Sequence, residues 1–420
     1  MSDMRPRVLA ILPALIPSTI ISVVKPFIVL CRAGYITMNI TLEAFADQRD
    51  VAWADLVVFC RNSEPTYARC LDLVMEKGIP YIYDLDDNFF EIPRNSAVGR
   101  YHGASERIAL LTRYVSGARL VRVYSEELLR KARRFNSNVE RVDGPLDLRL
   151  VPPRSQYIRP PSDHDRVKIV YATSRRSDDF FDDIYVPALI RVLDEYRQVE
   201  VHIWGHRPAA LRRHEGICYH RVIMDYDRFL RKFWTANYDI GLAPLHDDPF
   251  CRSKSNNKFR EYGGCGIAGI YSDVEVYSEC VQDGETGLLV PNQKEEWYKA
   301  IVRLVEDGDL RKKIGRQAAE YVRSHYSQEM FERVWLRQIS RVLENHIGSR
   351  LGNKRVATSF RPDLDSRYRS TLLRLVENGL GVARHLVSGK PRTAPYVLLW
   401  YKDDLRIIMK MRSGMSRHGP

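Results

Sequence analysis

Short apolar runs alternate with amphipathic helical patterns over residues 7–346, and that alternation leaves few folds open to the chain. VLAIL (8–12), ADLVVFC (54–60), IPYIYDLDD (79–87) and LVRVYS (120–125) read as strands. Helical patterns lie between them, near 20–31, 65–78, 106–117 and 126–135. In the second of these Leu71, Val74 and Met75 fall on one face and Gly78 ends the helix, while Ser125 is placed to cap the last. VPPRSQYIRPPSDHD (151–165) then interrupts the pattern, and its prolines read as a linker or hinge. The alternation restarts with VKIVYAT (167–173), VEVHIWG (199–205) and RVIMDY (221–226), and runs on to a last helix over 328–346. Strands spaced by helices of this length imply an α/β protein with parallel sheets covered on both faces. We expect two Rossmann-like, doubly wound domains, 1–155 and 165–346, facing a cleft, followed by a basic helical extension over 347–420. In open sheets of this kind ligands bind at the carboxyl ends of the strands.

The richest stretch is 239–273, DIGLAPLHDDPFCRSKSNNKFREYGGCGIAGIYSD. An apolar strand stops at Pro244, and a polar loop carries Asp247, Asp248, Arg252 and Lys254. Ser255 or Asn256 is placed to cap a helix over 257–263, and a second strand follows at 267–271. The loop thus brings a helix N-terminus together with Arg252, Lys254 and Lys258, a setting for a phosphate or diphosphate. The same residues also fit an ordinary strand–helix–strand unit with a solvated basic loop.

Composition narrows the class. An apolar fraction of 45% and a charged fraction of 28% are those of a globular protein. The seven cysteines are scattered without a C-x-x-C pair, so neither a zinc site nor a disulfide framework is indicated, and a reducing, cytoplasmic setting fits. Residues 8–30 follow two arginines and are apolar, but Pro13, Pro17, Lys25 and Pro26 break the run, so a strand and then a helix is expected rather than a targeting segment. The formal charge of +12 is uneven: residues 351–420 hold 4 Lys and 10 Arg against 4 Asp and 1 Glu, leaving the first 350 residues mildly basic. Charge confined to a tail, with no recognisable binding module, argues against nucleic acid as partner. Within the tail, 394–412 sets Trp400, Ile407 and Ile408 beside Lys402, Arg406, Lys410 and Arg412, the pattern of a helix lying on an anionic membrane, although packing on the protein body is an alternative.

Taken in order, DIGLAPL, the K-S-N-x-K-x-x-E-Y run, G-I-x-x-I-x-S-D, DGETGLLV, EEWYKAIVRLVED and LRKKIGRQAAEYV resemble the GT-B glycosyltransferases of the "glycosyl transferases group 1" type, related to family 4. The resemblance covers roughly 165–345; the first half matches more loosely, through YDLDDNFFEIP and an early PST loop. It implies a nucleotide-diphosphate sugar as donor and a saccharide or lipid-linked acceptor, with no cofactor and no metal. It implies that Glu261 binds the donor ribose, and that Lys254 or Lys258, with Arg175 or Arg176, meets the diphosphate beside Ser255 and Asn256. Relatives often carry a second glutamate eight residues before the first; here Ser253 stands there, and Ala268 replaces a usual proline. These departures leave the sugar and the anomeric outcome open. A nucleotide-sugar epimerase of the same fold, or a non-catalytic glycan-assembly subunit, are the alternatives.

The acidic segment YDLDDNFFEIP falls in the half that the resemblance makes the acceptor domain. Asp84-x-Asp86 has a spacing that hard cations use, but a GT-B enzyme points instead to Asp86 or Asp87 as an acceptor-contacting group or base. His102 is a further candidate base.

Overall fold

The computed structural model describes residues 5–94, 97–153, 166–173 and 179–350. It divides into two units, residues 1–142 with 332 onward, and residues 143–331. Each contains one six-stranded sheet whose pairs are all parallel. Among the described residues no helix is long and apolar enough to cross a membrane.

In the first unit β1 (Arg7–Leu12), β2 (Thr37–Leu42), β3 (Leu56–Cys60), β4 (Tyr81–Leu85), β5 (Leu120–Val123) and β6 (Val139–Arg141) line up as β2-β1-β3-β4-β5-β6. The central strands β3 and β4 are buried along their whole length, as a sheet covered on both faces requires. The order reverses between β1 and β3, which makes their carboxyl ends the expected ligand position. In the second unit β7 (Val167–Ala172), β8 (Val199–Trp204), β9 (Ile217–His220), β10 (Ile240–Ala243), β11 (Ala268–Ser272) and β12 (Leu288–Val290) run β12-β11-β10-β7-β8-β9. Here the reversal lies between β7 and β10, next to the 239–273 stretch.

Several local readings need correction. Two strands carry no clear apolar run in the sequence: β2 alternates half-exposed Thr37 and Asn39 with buried Met38 and Ile40, and β6 is only three residues, two of them polar. The strand expected at 221–226 lies earlier, at Ile217–His220, an edge strand whose four residues are all half-exposed and so carry little apolar signal. Met75 is 51% exposed; the buried face of its helix is Cys70, Leu71, Leu73 and Val74. Ser125 does cap Glu126–Ala132, accepting from the Leu128 N–H at 3.3 Å.

The division between units falls at Val142 rather than within the proline-rich segment, because 143–151 is tied to the second unit. Arg260 donates to the Pro145 carbonyl at 2.6 Å, and the Leu146 N–H to the Tyr326 carbonyl at 2.7 Å. The helix Gln328–Arg350 carries the chain back to the first unit through Trp335. Trp335 is fully buried, meets Phe27 edge-on at 4.9 Å and donates to the Ser22 carbonyl at 2.7 Å. Beneath it Arg122, also fully buried, stacks at 3.3 Å from the ring centroid and faces Asp84 at 3.3 Å. Tyr124 donates to Asp84 at 3.0 Å.

Removing one partner of a buried ion pair leaves an uncompensated charge. Arg122→Leu is therefore expected to cost about 3–5 kcal/mol in denaturant unfolding, and a loss below about 1 kcal/mol would show that Asp84 is held by other means. Glu43, at the end of β2, gives a pH signature. Burial pushes its carboxyl from 4.5 up to about 7, against the Asn62 amide that donates to it at 2.6 Å. The folded state then holds a proton that the unfolded state releases, so this contribution is intact below pH 4.5 and is lost as pH rises to about 7. At 1.36 kcal/mol per unit it amounts to about 3 kcal/mol. His102, lowered from 6.5 to about 4, gives the opposite slope over an overlapping range, so the measurement is a difference: subtracting Glu43→Gln from wild type should isolate a fall between pH 4.5 and 7.

Candidate functional site

In the second unit the loop after β10 is more ordered than a polar coil. Asp248 accepts from the Cys251 N–H at 2.8 Å and caps the single turn Pro249–Arg252. Ser253 closes that turn, fully buried, with its Oγ donating to the Pro249 carbonyl at 2.7 Å. The Lys254 ammonium lies 3.9 Å from the centroid of the Phe250 ring, and His246 stacks on Phe180 at 3.5 Å. The base of the loop is clasped by side chains from the neighbouring strand ends. Ser272 accepts from the Leu245 N–H at 2.8 Å and donates to Asn292 at 2.6 Å, while the Asn292 amide donates to the Leu245 carbonyl at 2.9 Å. Tyr185 donates to the same Asn292 oxygen at 2.9 Å.

The helix that follows, Asn257–Gly264, approaches its neighbours closely. A Cβ on Gly241 of β10 would sit 2.5 Å from the Tyr262 ring, and one on Gly263 would sit 2.7 Å from Val322. Asn256 occupies the N-cap position but does not cap: its amide donates to Tyr326 at 3.0 Å and its oxygen accepts from Arg260 at 3.0 Å. This corrects the capping role expected of Ser255 or Asn256. Glu261 is 5% exposed within this helix. Lys258 donates to its Oε2 at 2.7 Å and Tyr226 to its Oε1 at 3.3 Å. A carboxylate has about four acceptor positions, and these two contacts fill two of them. Burial and the neighbouring Glu261 charge push the Tyr226 phenol well above its ordinary range, which keeps it a donor. Of the donor-site candidates the structure thus joins Lys258 to Glu261, turns Asn256 toward Tyr326, and sets Lys254 over Phe250. Arg175 and Arg176 lie outside the described residues, as does the 394–412 segment.

In the first unit the switch point between β1 and β3 is polar. Arg61, immediately after β3, adopts φ +63°, a conformation that side-chain-bearing residues seldom hold without compensation. It pairs with Asp86 at 2.9 Å and Asp87 at 2.5 Å, donates to the Ser18 hydroxyl at 3.1 Å, and lies 5.1 Å from the Phe89 ring centroid. His102 stacks on the same Phe89 at 4.6 Å. Asp86, Asp87 and His102 are therefore brought together around Arg61 and Phe89. Burial raises the Asp86 carboxyl against the pull of Arg61, with Asp87 adding to the rise. Burial, Arg107 and Arg61 lower His102 to about 4, so it is neutral at physiological pH, and its Nδ1 has no hydrogen-bond partner among the described residues. Arg107 pairs with Glu64, which also accepts from Tyr101 at 2.8 Å. Sequence reasoning missed Arg61, Glu43, Asn62 and Arg107. Arg61 was findable by its place at a strand's carboxyl end, where open α/β sheets put their ligand loops. Each carboxylate of the Asp84, Asp86, Asp87 series faces a guanidinium, and among the described residues no three His, Cys, Asp or Glu side chains gather as metal ligands.

Comparison with known proteins supplies the context. Residues 179–307, within the second unit, match the family model "Glycosyl transferases group 1". No curated protein matches the chain by sequence. HepE from Anabaena, solved in complex with UDP and glucose, superposes with a TM-score of 0.55 at 14% identity, covering 81% of this chain and 100% of its own. Sucrose-phosphate synthase from Thermosynechococcus elongatus gives 0.59 at 15% identity with the same coverages. A glycosyltransferase from Rickettsia africae gives 0.56 at 14%, again over 81% and 100%. The likenesses establish the architecture of two parallel six-stranded sheets, and within it residues 179–307 carry the match to the group 1 glycosyltransferase model.

Proposed function

We propose that the protein transfers a sugar from a nucleotide-diphosphate sugar, held by the second unit, to a saccharide or lipid-linked acceptor in the building of a cell-surface glycan. The observation that carries this reading is Glu261: a nearly buried carboxylate, fixed by Lys258 and Tyr226, that keeps acceptor positions for two ribose hydroxyls. The leaving diphosphate gathers negative charge as the glycosidic bond breaks, and preorganised donors and cations are the main way to stabilise it. Lys254, Lys258, Arg175, Arg176 and the first amides of Asn257–Gly264 are assigned that work, with no metal ion. Asp86, Asp87 and His102 are assigned to the acceptor hydroxyls in the first unit. UDP is the first nucleotide to try, since HepE was solved with it.

The test is a thermal-shift screen with UDP, GDP and ADP and their sugars, followed by product analysis. One nucleotide should stabilise the protein as ln(1 + [L]/Kd), and silence from all of them would overturn the reading. Lys254→Ala or Lys258→Ala should raise the barrier to transfer by about 2.7–4 kcal/mol, the usual effect of deleting one preorganised charge-stabilising group. A changed free donor sugar, with no transfer to any acceptor, would indicate epimerisation instead.

The 394–412 segment is proposed to rest on the cytoplasmic face of an anionic membrane, near a lipid-linked acceptor, at about 1 kcal/mol for each basic residue close to the surface. In liposome flotation the full chain should rise with anionic vesicles and a 1–346 truncation should not; equal behaviour of the two would remove the membrane role.

A further inference from the structure

Glu261 reaches its position from the middle of Asn257–Gly264, but the group that fixes its Oε1 comes from elsewhere in the unit. Tyr226 is the first residue of the helix Tyr226–Thr235, which begins just beyond β9. Asp225 caps that helix by accepting from the Arg228 N–H at 3.0 Å, so the start of the helix is set by its own sequence rather than by contact with Glu261. The Tyr226 ring packs beside Phe229, which meets Trp204 edge-on at 5.7 Å and Phe233 at 5.2 Å. The phenol therefore projects from a packed aromatic row and has little freedom to leave the carboxylate. Lys258 holds the other oxygen from one turn away on the same helix, through a long side chain that is partly exposed. One hold on Glu261 is thus stiff and the other is flexible.

We propose that Tyr226 is a positioning residue for the donor, orienting Glu261 so that its free lone pairs meet the ribose 2′- and 3′-hydroxyls while Lys258 remains able to turn toward the diphosphate. This rests on the ribose role of Glu261 set out above. Without the phenol, Lys258 becomes the principal tie on the carboxylate: the carboxylate rotates toward it, and both the ribose contacts and the cation suffer. A merely structural tyrosine would affect stability without altering how the protein tells ribose from deoxyribose.

The experiment uses the full chain and whichever of UDP, GDP or ADP stabilises it, compared with the 2′-deoxy form of the same nucleotide by calorimetry. Wild type should bind the ribose form about tenfold more tightly, the order expected for one hydrogen bond to a charged group. Glu261→Gln should erase most of that preference. Tyr226→Phe, which keeps the ring, should reduce it several-fold and place its kinetic loss in donor KM rather than in kcat. If Tyr226→Phe folds poorly, Tyr226→His, which restores a donor at shorter reach, is measured against Tyr226→Leu; the proposal requires histidine to recover part of the preference. A ribose preference that Glu261→Gln abolishes and every Tyr226 variant leaves intact would overturn the positioning role alone. A wild type without any ribose preference, or with none of the three nucleotides bound, would overturn the reading of Glu261 and this inference with it.

Discussion

The first unit depends on a pair of charges that water never reaches. Asp84 on β4 and Arg122 on β5 are both fully buried, and taking two such ions out of water costs several kcal/mol each before any attraction is counted. The surroundings offset that cost in specific ways. Tyr124 donates to the carboxylate, and the flat face of Trp335 receives the guanidinium. Burial still raises the Asp84 carboxyl, with Arg122 and Tyr124 pulling the other way. The pair is thus only just compensated, and so it enforces a register: β4, β5 and the returning helix must all be in place for either charge to be tolerated.

The second unit solves its ordering problem with neutral groups. Ser272, Asn292, Tyr185 and the Leu245 backbone form a closed set in which each donor finds an acceptor. That clasp fixes where the loop after β10 leaves the sheet, and the one-turn helix capped by Asp248 fixes where it goes next. The loop reaches Lys254 and Asn256 with little slack, which is how a chain segment without regular structure presents charge at a defined position. The two units share a topology of switch points but not the means of holding them.

What the sequence disclosed follows from what apolar patterning can encode. Central strands such as β3 and β4 are buried on both faces and announce themselves as continuous apolar runs. Edge strands do not: β9 was displaced and β2 unseen because a half-exposed strand resembles a loop. The family motifs made Glu261 and Lys258 legible, because they lie close together on one helix. Tyr226 was not, since it meets Glu261 across more than 20 residues of sequence and nothing local marks the encounter; Arg61 is marked by its place at the end of β3, but its pairing with Asp86 spans a similar distance and is not. Asn256 misled for the opposite reason: its residue type and position fit a cap, but Arg260 and Tyr326 compete successfully for its side chain.

The return of the final helix to the first unit has a temporal side. Arg122 and Trp335 meet in the finished structure, yet the whole of the second unit is threaded between them in the chain. At roughly 5–20 residues per second of synthesis, the arginine emerges tens of seconds before the indole that covers it. Through that interval the first unit has all six strands of its sheet but an ion pair still lacking its cover, while the second unit, continuous in sequence, is completed at residue 331, just before the covering helix arrives. The order in which the two units become complete is therefore the reverse of the order in which they begin.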